Sequence, residues 1–502
     1  MKKSVLTILG LSLLLASCNQ PQVVDPNADD KTPFIPRTVS GPVTCPDGTQ
    51  GSTRGIAGLL GADQKDRGNL VTLSALRQQT DLLGTVQDML YASKSIINPL
   101  YFGYSTVDLQ KLHDTTYTTF KQTYPKHLGT YYVDDTTDAL MDEYINAIQD
   151  GHTYYMDAQI WKLSNDSSSN APQATPTFGL RQTTIPGQDG LLVVNVRAEG
   201  AAFAAGLRRG DVILSVDGQA LTRTIPAQVG ADGSVNDSAQ MAAFGKVISA
   251  AAARQAPVTF VVRRGAAQRT ATLQASVLNG MEYPWGEIRN DATGRSFYYL
   301  RVPTFMGQGV AAKVHELVAE ARAQGVSGLV VDLRSNGGGL LTEFVGAVGA
   351  FVPDKATQQV RYVDGTSTTF RYNAGKVYYN YSCSAPQAIS AVPAASLWTG
   401  KVAVLLNGGS ASASEMFSQN IKLGGQAILI GEETYGVGDT STFHLELPGE
   451  RGISVTAGRV SVGGQASTQF VTPDIVVRDD LAALAASGTD AALQTAITEL
   501  LK

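Results

Sequence analysis

From about residue 280 onward, short apolar runs alternate with stretches of helical period. Residues 297–301, 328–332, 402–406 and 427–430 read as strands, and 310–324 and 412–422 as helices. Strands that alternate with helices in this way are joined by crossover connections, so this part of the chain is an α/β layer structure. No internal repeat competes with that reading.

Composition narrows the function classes. The chain has 502 residues, 17% of them charged, with a formal charge of -5. At ordinary domain sizes that length holds roughly three folded units. A mildly acidic balance argues against nucleic acid, which needs clustered Lys and Arg. Three cysteines without a Cys-x-x-Cys pair exclude a disulfide scaffold and a cysteine zinc site. Five histidines mean that each can be weighed individually.

The amino terminus reads as an address. Lys2 and Lys3 precede an apolar run over 5–16, too short to span a bilayer. The run ends in Leu15-Ala16-Ser17-Cys18, which resembles the lipobox of bacterial lipoproteins. The resemblance implies that residues 1–18 are a signal, that Cys18 is lipidated, and that an exported protein contacts the membrane through its acyl chains only. Asn19 rather than Asp follows the cysteine, which favours the outer of two membranes. Cys45 and Cys383 remain in a compartment that permits disulfides, and their pairing stays open.

Six prolines over 19–50 read as an extended tether. Residues 51–163 carry helical periodicity, with Leu82, Leu83, Val86, Met89 and Leu90 at helix spacing, as are Leu140, Tyr144, Ile145 and Ile148. A Ser/Asn/Pro linker over 164–176 leads to a β-rich segment at 172–279, in which 191–196 and 258–262 read as strands and Asp217-Gly218 as a turn. Residues 280–502 form the α/β core.

The β-rich segment contains Phe178-Gly179-Leu180, then Gly206-Leu207-Arg208-Arg209-Gly210-Asp211-Val212-Ile213, then Asp217-Gly218. It resembles a PDZ domain. The resemblance implies that the Phe178-Gly179-Leu180 loop turns backbone amides toward the C-terminal carboxylate of a polypeptide. The peptide would add as a strand, with the helix over 241–253 as the other wall.

Three further motifs carry chemistry. Asp150-Gly151-His152-Thr153 ends a predicted helix. Asp332-Leu333-Arg334-Ser335-Asn336-Gly337-Gly338-Gly339 leaves a buried strand. Asn407-Gly408-Gly409-Ser410-Ala411-Ser412-Ala413-Ser414-Glu415 forms a strand-to-helix elbow. A serine at a helix start meets free N–H groups and the positive end of the helix dipole, which suits a nucleophile whose tetrahedral intermediate needs an oxyanion hole. Alone, the glycines would be a tight connection and the serines N-caps.

Together with Tyr299-Leu300-Arg301-Val302-Pro303-Thr304-Phe305, these runs resemble the C-terminal processing (tail-specific) serine peptidases over about residues 75–480. The resemblance implies an α+β multidomain protein: an N-terminal helical region, a PDZ β-sandwich-like domain and an α/β core of the crotonase/ClpP type. It assigns Ser412 as nucleophile, and the amide of Ala413 with that of Gly337 or Gly338 as the oxyanion hole. No metal or organic cofactor is implied.

The chain departs from that family in one place. Where the bacterial members usually carry a lysine base, the stretch reads Gly431-Glu432-Glu433-Thr434-Tyr435-Gly436-Val437-Gly438. Valine takes no proton, and Lys422 lies on the helix after the elbow. A second branch, similar to the tricorn core protease, takes a histidine from an Asp-Gly-His-Thr motif, which implies His152 as the base. His113, His127, His315 and His444 read as structural or exposed. That branch also has an acidic residue before a Gly-x-x-Pro-Asp stretch. Here the region runs Ala466-Ser467-Thr468-Gln469-Phe470-Val471-Thr472-Pro473-Asp474, without the acid. Ser467, Gln469, Glu433, Asp150 and Glu415 remain open as the group that orients the ring.

The expectation is an exported, lipid-anchored serine endopeptidase acting on unfolded or C-terminally presented polypeptides. A non-catalytic peptide-binding protein that keeps the fold is the alternative, since fold alone decides no function. A cofactor-dependent acyl-group enzyme with the same glycine turn is a third reading, without a cofactor pocket in its favour.

Overall fold

A computed structural model describes residues 82–123, 133–167, 175–230, 235–291, 293–381, 384–425 and 427–502. The lipobox with Cys18, the tether, His127 and both Cys45 and Cys383 lie outside them. By contact the chain divides into two units.

One unit comprises residues 166–352, 393–435 and 471–502. Its main sheet has six strands in the order Trp285–Asn290, Ser296–Arg301, Leu329–Asp332, Val402–Leu406, Ala427–Gly431 and Ile475–Val476. The first pair is antiparallel and all later pairs are parallel. The two central strands are buried along their whole length, as parallel strands covered on both faces must be. Helix Ala491–Leu500 sets Leu493, Ala496, Ile497 and Leu500 against Val330, Ala403, Leu405 and Ile430. The helices Val310–Ala323, Leu341–Val348 and Ala413–Leu423 pack on one another in chain order. The α/β reading of this region therefore holds, with element ends moved by a residue or two.

The same unit holds a five-strand antiparallel path: Leu180–Thr183, Leu191–Val196, Val212–Val216, Pro257–Arg264 and Ala267–Gln274. Asp217 and Gly218 both take positive φ, 48° and 77°, the requirement of a two-residue hairpin turn. Helix Ser238–Ala253 contributes Phe244, Ile248, Ala251 and Ala252 to a core with Phe178, Leu191, Val193 and Phe260. This module is tied to the parallel sheet through Asp490, whose Oδ2 takes Arg209 at 3.2 Å and Arg334 at 2.7 Å.

The other unit comprises residues up to 165, 353–392 and 436–470. Its eight-stranded antiparallel sheet is built on the long strand Arg451–Val462. Tyr154–Met156 pairs along one edge of that strand at Ser454 to Gly452, Thr440–Leu447 along the other from Arg459 to Arg451, and the meander from Thr357–Tyr362 to Gln387–Ala391 extends the sheet. Segments 353–392 and 436–470, read from sequence as parts of one continuous α/β core, thus fold with a strand near residue 155. The helices Leu82–Leu100, Leu109–Thr123 and Val133–Asn146 pack together in this unit. The expected linker over 164–176 begins later than predicted, because helix Ala158–Ser167 continues through its first residues. Among the described residues no helix is long and apolar enough to cross a membrane.

Candidate active site

The serine elbow is formed where the buried strand Val402–Leu406 turns into helix Ala413–Leu423. Ser412 occupies the N-cap with φ 54° and ψ −116°. A non-glycine residue in that conformation stores roughly 1–3 kcal/mol of strain, which surrounding contacts must hold. They do. Glu415 Oε2 accepts the Ser412 amide at 2.7 Å, while Glu415 Oε1 accepts the Thr434 hydroxyl at 2.5 Å. The neighbouring serines are spoken for: Ser410 Oγ donates to Leu333 O at 2.9 Å and Ser414 Oγ to Asn336 O at 2.8 Å. The Ser412 hydroxyl donates to no protein acceptor among the described residues, so of the three serines it is the one left for chemistry.

The glycine turn lies directly beside the elbow. A Cβ on Gly338, which has φ 99°, would sit 2.9 Å from Ala411 O, Ala413 N and Ser412 Cβ. Asn336, fully buried, stitches the two loops. Its carbonyl accepts from Ala411 N at 3.0 Å, its Oδ1 from Gly338 N at 2.9 Å, and its Nδ2 donates to Val302 O at 2.9 Å. The Gly338 amide is thereby engaged, whereas the amides of Gly337 and Ala413 donate to no protein acceptor among the described residues. Nothing in the motif itself marks Asn336 for this central place.

The charged part of the same motif is structural. The Asp332 carboxylate is buried, which by itself would raise its pKa, but the guanidinium groups of Arg334 and Arg301 and the Tyr299 hydroxyl hold it far below the usual carboxylate range. The cluster pins the end of the strand from which the glycine turn departs.

The histidine motif lies in the other unit. Asp150 Oδ1 accepts the amides of His152 at 3.1 Å and Thr153 at 2.6 Å, and its Oδ2 accepts the Thr153 hydroxyl at 2.8 Å. Ser454 Oγ donates to His152 O at 3.1 Å from the partner strand. The imidazole Nδ1 lies 2.8 Å from Thr440 Oγ1. Burial lowers the ring's pKa from 6.5 to about 4, with Asp150 pulling up and His444 pushing down. The ring is therefore neutral near pH 7, the form a general base needs. Val437, in the lysine slot, is buried, and its Cγ1 lies 3.7 Å from where a Gly151 Cβ would stand. The slot thus presents an apolar wall beside the histidine turn.

Residues 296–477 match the model of peptidase family S41. The chain carries an S41 peptidase domain. Residues 192–231 match the model of a PDZ domain. The chain is 27% identical over 287 residues to the chloroplastic C-terminal processing peptidase of Tetradesmus obliquus, covering 57% of this chain and 56% of that one. It is 28% identical over 290 residues to the chloroplastic carboxyl-terminal-processing peptidase 2 of Arabidopsis thaliana, covering 57% and 49%. The chain spans about half the length of these curated relatives. The solved photosystem II D1 C-terminal processing protease aligns at a TM-score of 0.41 and 19% identity, covering 82% of this chain and 99% of that one.

The S41 match includes the glycine turn, the elbow and the valine slot, while His152 precedes it. Of the residues considered for orienting that ring, none makes a hydrogen bond to it. Asp150 binds backbone amides and Thr153, and Glu415 binds Ser412 N. Glu433 accepts from Thr472 at 3.2 Å and Ser467 Oγ donates to Gly438 O at 2.7 Å. The residue that does reach it, Thr440, was missed, since nothing in its local sequence marks it. Of the other described histidines, His315 bonds Ser396 and Gly346 backbone, His113 is buried beside Tyr144, and His444 stands by Tyr154, close enough to act on the His152 ring.

In the PDZ module, Phe178 is buried against Phe260, so it shapes the loop from inside. Gly179 has φ 76°, and a Cβ there would meet Gly200 Cα at 2.7 Å. Leu180 starts a strand at the end of the sheet order, paired on one side with Leu191–Val196, so the strand is at an edge where a further strand can add.

Proposed function

We propose that this protein is a serine endopeptidase that cleaves unfolded or C-terminally presented polypeptides through an acyl-enzyme on Ser412. The carrying observation is the strained N-cap serine packed beside Gly338, with the Gly337 and Ala413 amides unclaimed by protein acceptors among the described residues. In this reading His152 Nε2 takes the Ser412 proton as Oγ attacks the scissile carbonyl. The oxyanion is held by the amides of Gly337 and Ala413. The imidazolium then protonates the leaving amine, and water, deprotonated by the same ring, hydrolyses the ester. The neutral ring and the valine in the lysine slot support assignment to the histidine-base branch.

The edge strand beginning at Leu180, with the Phe178-Gly179-Leu180 loop, receives the end of the substrate chain. Lipidation at Cys18 places the enzyme on the exported side of a membrane, held by its acyl chains alone. The absence, among the described residues, of an acidic residue hydrogen-bonded to the His152 ring favours a second reading, a peptide-binding protein without turnover.

Purified protein is incubated with an unfolded polypeptide, wild type beside Ser412→Ala and His152→Ala, and Ser412 is probed with a fluorophosphonate. Cleavage and labelling by wild type only are expected. Substrate loss indistinguishable between wild type and Ser412→Ala removes the enzyme reading, and full activity of His152→Ala removes the base.

A further inference from the structure

The imidazole of His152 makes its one side-chain hydrogen bond among the described residues with Thr440, a buried threonine at the start of strand Thr440–Leu447. The carboxylate nearest in sequence, Asp150, spends its oxygens on the His152 and Thr153 amides and the Thr153 hydroxyl. The ring therefore has no anionic hydrogen-bond partner among the described residues, although Asp150 acts on it through space, and a hydroxyl stands in that position.

A hydroxyl can donate one hydrogen bond and accept two, while a neutral imidazole carries its proton on one nitrogen. The direction of the Thr440 hydroxyl is indicated by a second contact. Thr440 Oγ1 lies 3.2 Å from the Val437 carbonyl oxygen, which can only accept. With the hydroxyl proton directed at Val437 O, the contact with His152 is made by the Oγ1 lone pair. Nδ1 then carries the ring proton and Nε2 keeps its lone pair.

We propose that Thr440 is the positioning residue of this site: its Oγ1 accepts a hydrogen bond from Nδ1–H of His152, its hydroxyl donates to Val437 O, and Nε2 is left as the proton acceptor. The proposal rests on the reading of His152 as base and supplies the third group that the chain's acid-free 466–473 stretch lacks. When Nε2 takes the Ser412 proton, an O–H bond breaks and an N–H bond forms. Nδ1 keeps its proton throughout, and Thr440 continues to accept the hydrogen bond from it. A neutral acceptor stabilises the imidazolium less than a carboxylate does, so this arrangement orients the ring more than it raises its basicity. Position 437 acquires a role as well. Its side chain is the apolar wall that replaces the lysine, and its carbonyl anchors the hydroxyl.

Three variants test this. Thr440→Val removes the oxygen at nearly constant shape, Thr440→Ser restores it, and His152→Ala reports the base itself. Expected is a fall in kcat of about 10²-fold in Thr440→Val, the low end for a general acid–base contribution, with KM within about twofold and Thr440→Ser close to wild type. In parallel, 15N spectra of imidazole-labelled wild-type protein should show Nδ1 protonated and Nε2 unprotonated, with that single tautomer lost in Thr440→Val. Thr440→Val at wild-type kcat overturns the proposal, as does a wild-type ring protonated on Nε2. Should Thr440→Val fail to fold, the wild-type spectrum alone still decides. The spectrum does not depend on turnover, so an unaltered His152→Ala rate would sink the base while leaving the tautomer result standing.

Discussion

His152 Nδ1 and Thr440 Oγ1 lie 2.8 Å apart although 288 positions separate them in the chain. Both hang from the same long strand, Arg451–Val462: Tyr154–Met156 pairs with it at Ser454 to Gly452, and Thr440–Leu447 pairs with it from Arg459 to Arg451. The strand is therefore the frame that brings a histidine from one segment to a hydroxyl from another.

In the proposed mechanism the His152 ring sets the acid limit of activity. With its pKa at about 4, His152 stays in the base form well below neutrality. The kcat/KM profile should be flat from pH 7 to about 5 and lose half its value near pH 4. A half-point near 6.5 would mean a solvated ring. Stability follows the same linkage. An unfolded ring binds its proton below 6.5, whereas the folded ring resists until about 4, so protonation favours unfolding and stability falls as pH drops through that window, by up to about 1.4 kcal/mol per unit. Comparison of wild-type and His152→Ala melts isolates this contribution.

Asp150 holds the turn that presents the ring. Asp150→Ala removes the acceptor of two amides and a hydroxyl and should destabilise the unit by about 1–3 kcal/mol, the cost of leaving buried donors unpaired. It should also lower the His152 pKa further, because Asp150 pulls that value up. A His152 titration unchanged in Asp150→Ala would contradict the electrostatic account.

Gly338 is required by its conformation and by its neighbours. Gly338→Ala places a methyl 2.9 Å from Ser412 Cβ and Ala413 N at φ 99°. The elbow has to move, and fluorophosphonate labelling of Ser412 should fall by about 10²-fold or more, the effect of spoiling an oxyanion hole. Retained labelling would place the reactive geometry elsewhere.

Asp332 should matter for stability rather than chemistry. Asp332→Ala leaves Arg334 and Arg301 short of a partner in the interior, and should destabilise by about 3–5 kcal/mol in denaturant melts. A loss of activity without a loss of stability would instead assign it a direct role.

The elbow and the glycine turn were legible because each is contiguous. Strand, turn and helix cap are local decisions, and the small residues from Gly408 to Ser414 announce a backbone conformation that larger ones could not take. Asn336 as the stitch between them was not legible, since an asparagine in a turn bonds equally well to its own backbone. Thr440 was invisible for a similar reason: a threonine at a strand start is ordinary, and only its distant partner gives it meaning. The PDZ module was readable from its glycine spacing and turn, yet the burial of Phe178 shows that a motif residue can act by shaping the backbone rather than facing a ligand.

The sequence by itself determined the local elements: parallel strands from apolar runs, the serine at a helix start, the valine that removes the lysine base, and the histidine turn. Only the tertiary structure decided that residues 353–392 and 436–470 pair with the strand after His152, and that the ring's partner is a hydroxyl. The physical reason is the range of the forces involved. Turns, caps and periodicity are paid for within a few residues. Strand pairing and side-chain hydrogen bonds are between groups that the chain brings together only on folding, and many residues of the right type compete for each.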